Sequence, residues 1–143
     1  MLANSFGPNS IALSTEQLEF EAAVSQAVEL LVQDGRATST YVTEVLQSLQ
    51  DLGPYFVVAP GIAIAHARPS QSVLEVGFAL LHSSLGVESG SHNDPVHLLF
   101  AFCSPDADSH IDLLGQFAES ISVPGKVELL KNASAESVIR SLL

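Results

Sequence analysis

The 143-residue sequence has no tryptophan and a single cysteine, Cys103. A lone cysteine excludes an internal disulfide and fits a reducing compartment, so a cytoplasmic setting is expected. Positive charge is scarce as well. Five Lys and Arg stand against 16 Asp and Glu, a formal net charge of −11 at pH 7. A nucleic-acid binder needs a basic footprint, and anionic lipid attracts polybasic segments. With neither feature here, no nucleic-acid partner and no docking on an anionic membrane is expected. Such a balance suits a partner with a basic surface. The opening MLANSFGPNS carries no basic region, since no Lys or Arg precedes Arg36, and does not read as a signal peptide. Long apolar runs are missing too. The longest, Tyr55 to Ala67, is cut by Pro60-Gly61 and contains His66, so it is too short to insert across a bilayer. Any membrane role must then pass through a partner.

What is present is a folding composition, 47% hydrophobic and 15% charged, long enough for one domain over residues 1–143. Residues 10–13 read as a short strand. Ser14 and Gln17 have capping-box spacing and predict a helix to about Asp34, with Phe20, Val24, Ala27, Val28 and Leu31 on one face. Thr38 is placed to cap a second helix with Val42, Val45, Leu46 and Leu49 inward, stopped by Gly53-Pro54. Strands are expected near 61–67, 75–81 and 97–103. VHLLFAF, at 96–102, is continuous enough to be buried on both faces. Ser109 and Asp112 offer a cap for a helix bearing Ile111, Leu114, Phe117 and Ile121. Pro124 suits the first turn of a short helix, and Ser134 caps a last one to Leu142. This order predicts an α/β fold with helices layered on a mixed sheet.

The chemistry concentrates in GIAIAHARP, residues 61–69. On a strand, Ile62, Ile64 and His66 share one face and the small residues 61, 63, 65 and 67 the other. Pro69 forces Arg68 to be extended, which is expected to turn it to the side of His66. An imidazole and a guanidinium at a strand end make an anion site. Near neutral pH roughly three quarters of free imidazole is uncharged. A neutral ring nitrogen is a nucleophile, and the other nitrogen can donate a hydrogen bond that fixes the tautomer. Phosphoryl capture suits these groups; on composition alone, a structural histidine is the alternative reading.

The stretch GPYFVVAPGIAIAHARP (53–69), followed by HNDPVHLLFAF (92–102), resembles the type-2 EIIA domains of the bacterial phosphoenolpyruvate:sugar phosphotransferase system. Within that family, the Gly-Pro-Tyr entry, the Ala-Pro-Gly turn, His-x-Arg-Pro and Asn-Asp-Pro-Val look most like the ascorbate-type members. The resemblance implies a three-layer α/β/α sandwich with a mixed central sheet, as in mannitol-type EIIA. It also implies a phosphohistidine carrier without metal or other cofactor. His66 would accept a phosphoryl group from HPr and pass it to an EIIB, which serves the membrane component EIIC, for ascorbate or a related sugar. His110, in SHIDLL, would line the same site and stabilise the phosphoryl group. Arg68 would contribute charge stabilisation. Two departures stand out. Ala65 occupies the place of the family's proline before the histidine. Mannitol-type relatives carry an arginine on the preceding helix where Gln50 stands here.

The remaining candidates read as structural. His97 is expected to be a satisfied strand histidine, while His82 and His92 are expected near loops, in solvent. HNDP reads as a turn, and Cys103 as buried filler. Two other functions compete with the carrier: a regulatory or sensory module of the same fold without efficient transfer, and a metal-binding protein using some of the five histidines. H-E-x-x-H and Cys-x-x-Cys are both absent.

Overall fold

Residues 2–143 are described in the computed structural model. A 3-10 turn (Leu2–Ser5) leads into β1 (Phe6–Ser14), α1 (Phe20–Gln33) and α2 (Ser39–Leu52). Then come β2 (Val57–Ala59), β3 (Ile62–Ala65), β4 (Gly77–Val87) and β5 (Val96–Cys103). The chain ends with α3 (Ala107–Ile121), α4 (Lys126–Lys131) and α5 (Glu136–Leu142). The strands form one mixed sheet in the order β1-β4-β5-β3-β2. β1 runs parallel to β4, and β3 parallel to β5, while β4–β5 and β2–β3 are antiparallel.

Strand alternation sorts the core into two layers. Ile62, Ile64, Phe78, Leu80, Leu98, Phe100 and Phe102 face α3, α4 and α5, joining Leu113, Phe117, Leu130 and Ile139. Ala63, Ala65, Ala79, Leu81, Leu99 and Ala101 face α1 and α2. Four of those six are alanine, which lets α1 lie close on the sheet with Ala23, Val24, Ala27 and Val28 fully buried. Large side chains fill the opposite layer, where Phe78 stacks on both Phe102 and Phe117, with centroids 5.4 and 5.7 Å apart.

Several boundaries differ from the sequence reading. β1 begins at Phe6, and Ser14 is its last residue. The Ser14 hydroxyl accepts from Glu16 N–H and turns the chain, so α1 starts only at Phe20. The 55–67 run is a hairpin, β2 and β3, folded at Pro60-Gly61 with Gly61 at φ +76°. β4 is longer than expected and reaches Val87. Asp106, not Ser109, caps α3, its carboxylate accepting from both the N–H and the hydroxyl of Ser109. That register points Leu113 and Phe117 inward and leaves Ile111 70% exposed. Thr38 stands at the start of α2 without a side-chain cap bond, and Ala135, not Ser134, precedes α5. Pro124 lies in the turn before α4, whose first residue is Lys126. Among the described residues, no helix is long and apolar enough to cross a membrane.

Candidate functional site

β3 ends at Ala65, and His66 continues the face of Ile62 and Ile64. Its imidazole rests on Phe102, the end of the aromatic stack, with centroids 4.9 Å apart and planes 33° from parallel. Phe56 and the edge of Tyr55 flank it at 5.6 and 5.9 Å. His110, the fourth residue of α3, meets it edge-on at 5.6 Å and shares the Phe102 face. The sheet and α3 thus place two imidazoles against one aromatic wall.

The hydrogen bonds assign the tautomers. His66 Nδ1 lies 2.9 Å from the Ile64 carbonyl, which only accepts, so Nδ1 carries the proton and Nε2 the lone pair. Nε2 has no partner among the described residues and is not among the buried unpaired atoms, so solvent reaches it. Burial holds the His66 pKa below the ordinary imidazole range; the Ile64 bond opposes this and the neighbouring His110 adds to it. The shift favours the neutral ring. His110 is lowered too, by burial. Its Nδ1 is buried without a partner. An orphaned lone pair is better tolerated there than an orphaned N–H, which places the His110 proton on Nε2. One ring thus offers a nucleophilic nitrogen beside another that offers a donor.

The family profile described as "Phosphoenolpyruvate-dependent sugar phosphotransferase system, EIIA 2" matches residues 4–143. The chain belongs to this family. A mannitol-specific cryptic phosphotransferase enzyme IIA component of Escherichia coli K12 is 28% identical over 142 residues, covering 99% of this chain and 97% of the relative. An ascorbate-specific EIIA component of Salmonella typhimurium LT2 is 37% identical over 103 residues, covering 71% of this chain and 67% of the relative. The solution structure of the mannitol-specific cryptic enzyme IIA from Escherichia coli superposes with a TM-score of 0.89 at 28% identity, over 99% of this chain and 96% of that one. Its mixed sheet with helices is the EIIA architecture.

In this EIIA component Arg68 lies beyond the end of β3. It lines a cleft of about 390 Å³ with Glu44, Ser48, Asp51 and Leu52 of α2, a lining that includes neither imidazole. Each of the other four basic side chains is engaged: Arg36 with Glu75, Lys126 with Ser120, Lys131 with Glu128, and Arg140 with Glu136. Arg68 alone makes no hydrogen bond or ion pair among the described residues. At the α3 N-terminus, the Ser109 N–H donates to the Asp106 carboxylate and the His110 N–H to the Asp106 carbonyl.

His97 is a satisfied strand residue, its Nδ1 donating to the Ser83 carbonyl at 2.9 Å. His82 overturns the expectation of a solvated histidine. It is 2% exposed on β4, and its Nε2 donates to the Lys131 carbonyl at 3.0 Å. The longer strand and the packing of α4 on the sheet bury it. His92 is exposed in its loop. Cys103 is buried, its thiol pushed up to about 12 by burial. Among the described residues, no cluster of three or more His, Cys, Asp or Glu is placed to hold a metal. Sequence reasoning missed Tyr41 and Tyr55. The Tyr55 hydroxyl donates to the His66 carbonyl at 3.3 Å, and Tyr41 is fully buried beneath the following residue. Only the Gly-Pro-Tyr spelling hinted at Tyr55.

Proposed function

We propose that this protein is a single type-2 EIIA domain over residues 1–143 whose His66 is the phosphoryl acceptor. It works in the cytoplasm, takes the group from phospho-HPr and delivers it to a cognate EIIB, reaching the membrane EIIC only through that partner. The observation that carries this reading is the clamped tautomer: Nδ1–H held by the Ile64 carbonyl, and Nε2 neutral and reachable. The His66 Nε2 lone pair attacks phosphorus as the donor's nitrogen–phosphorus bond breaks. The bonding pair leaves with the donor imidazole, so the N–P bond lost by the donor is the one gained by His66. The charge on the three phosphoryl oxygens faces His110 Nε2–H, which donates to one of them. Arg68, uncommitted to any internal partner, supplies positive charge to the docked complex. Gln50 in place of an upstream arginine favours the ascorbate branch over the mannitol branch, and the ascorbate-specific relative is 37% identical over 103 residues where the mannitol-specific one is 28% identical over 142.

Incubation with HPr, its kinase and phosphoenolpyruvate tests the reading. One site should be labelled, on Nε2, acid-labile and base-stable, and His66→Ala should abolish the label while the domain still melts cooperatively. Wild-type protein that stays unlabelled under conditions that label a known type-2 EIIA would hand the role to the regulatory module.

A further inference from the structure

The segment after His66 is fastened to α2 at three places. Tyr41, fully buried, donates its hydroxyl proton to the Phe102 carbonyl at 2.9 Å and accepts from the Ala67 N–H at 3.0 Å. One turn on, Glu44 accepts from the Ser70 hydroxyl through one carboxylate oxygen, at 2.8 Å, and from Ser72 through the other, at 3.1 Å. The Thr38 N–H donates to the Ser72 carbonyl at 2.8 Å. Phe102 is the residue whose ring carries the His66 imidazole, and Ala67 is the residue after His66. A single hydroxyl thus ties the backbone following the imidazole to the backbone beneath it. A core-filling role would be met by phenylalanine, and the hydroxyl is what exceeds it. Arg68 hangs between the Tyr41 and Glu44 fastenings.

We propose that Tyr41 and Glu44 are positioning residues, a clip on α2 that holds residues 67–72 and thereby sets the aim of His66 and the place of Arg68. This rests on His66 being the phosphoryl acceptor. Removing the Tyr41 hydroxyl leaves the Ala67 N–H and the Phe102 carbonyl without that partner. The chain at His66 then relaxes, and the ring lifts from Phe102 toward solvent. Misplacement of a reacting group by an ångström slows reaction out of proportion to its effect on binding.

Tyr41→Phe tests the proposal through three readouts: thermal melting, nitrogen-detected titration of the His66 ring, and single-turnover transfer from phospho-HPr. The variant should melt cooperatively and bind HPr as wild type does, with transfer slowed about tenfold. The His66 titration should move up toward ordinary imidazole, since burial is the largest cause holding it down. His110 from α3 and Tyr55 from the turn before β2 are the titratable groups facing that ring, and both stay in place. A lowered melting temperature with titration and transfer both at wild-type values would make the hydroxyl merely structural and overturn the proposal. Should Tyr41→Phe fail to fold, Glu44→Ala decides through the same readouts. A several-fold loss of transfer at near-normal melting supports the clip, and unchanged transfer overturns it. If wild type accepts no phosphoryl group, the acceptor reading falls by itself, and the His66 titration still shows whether the clip aims the ring.

Discussion

His110 offers its Nε2 proton at the end of a ring whose other nitrogen is buried without a partner. That arrangement leaves little structural work for the side chain. No hydrogen bond within the described residues is lost when the ring is removed, whereas the proposed donor to the developing phosphoryl charge is. Removing such a donor costs on the order of 3 kcal/mol in the transition state. His110→Ala should therefore slow transfer to the partner roughly a hundredfold and melt close to wild type; stopped-flow transfer and a melting curve on the same preparation check both halves. An unchanged rate would make His110 a bystander at the start of the helix. The family motifs around His66 and His110 implied one shared site, and the two rings do lie 5.6 Å apart. Their tautomers were not legible in the sequence, since those depend on the Ile64 carbonyl and on which ring edge α3 presses inward.

The alternation of β3 was readable at the scale of elements, because small and large residues strictly interleave in GIAIAHA. It placed Ile62, Ile64 and His66 on one face, as found. The rule does not reach Arg68, where the chain has left the sheet and periodicity stops carrying information. Ser14 and Ser109 misled for a related reason: a serine ahead of an apolar stretch has capping chemistry, and only tertiary contacts decide whether it caps a helix, ends a strand or sits one turn inside. The alanine layer makes a separate prediction. Ala63 is fully buried between β3 and the face of α1, so Ala63→Leu forces the helix away from the sheet. Overpacking of this kind typically costs about 1–3 kcal/mol. Chemical denaturation should show a lower midpoint at an unchanged slope; a midpoint at the wild-type value would mean that the layer has slack.

Two properties emerge only from the molecule as a whole. Both site histidines have folded-state pKa values below ordinary, so the unfolded chain binds protons that the native state refuses. Their contribution to stability is complete above about pH 6.5 and is lost as pH falls below that value. The carboxylates held low, Asp94 and Asp106, act only in more acidic solution. Melting temperature should therefore fall between pH 7 and pH 5 in wild type and fall less in the His66→Gln/His110→Gln protein. An equal fall in both would place the acid sensitivity elsewhere. Charge is the second property. At −11, the protein attracts a basic docking face through solvent, and that attraction is screened over about 10 Å at 0.1 M salt. Affinity for the phosphoryl donor should drop as salt is raised, mostly through a slower association rate. A salt-independent affinity would point to an interface held by apolar contact alone.

His66 has a floor, Phe102, and side walls in Phe56, Tyr55 and His110, but its Nε2 opens to solvent. In the proposed carrier, the roof over the reaction is then borrowed, present only while a second protein is docked. On the proposed reading, a phosphoryl group on Nε2 would face water between dockings, and hydrolysis would set its lifetime. A carrier built this way would store its cargo on a clock, and a cell using it would have to keep donor and acceptor close enough that encounters outpace water.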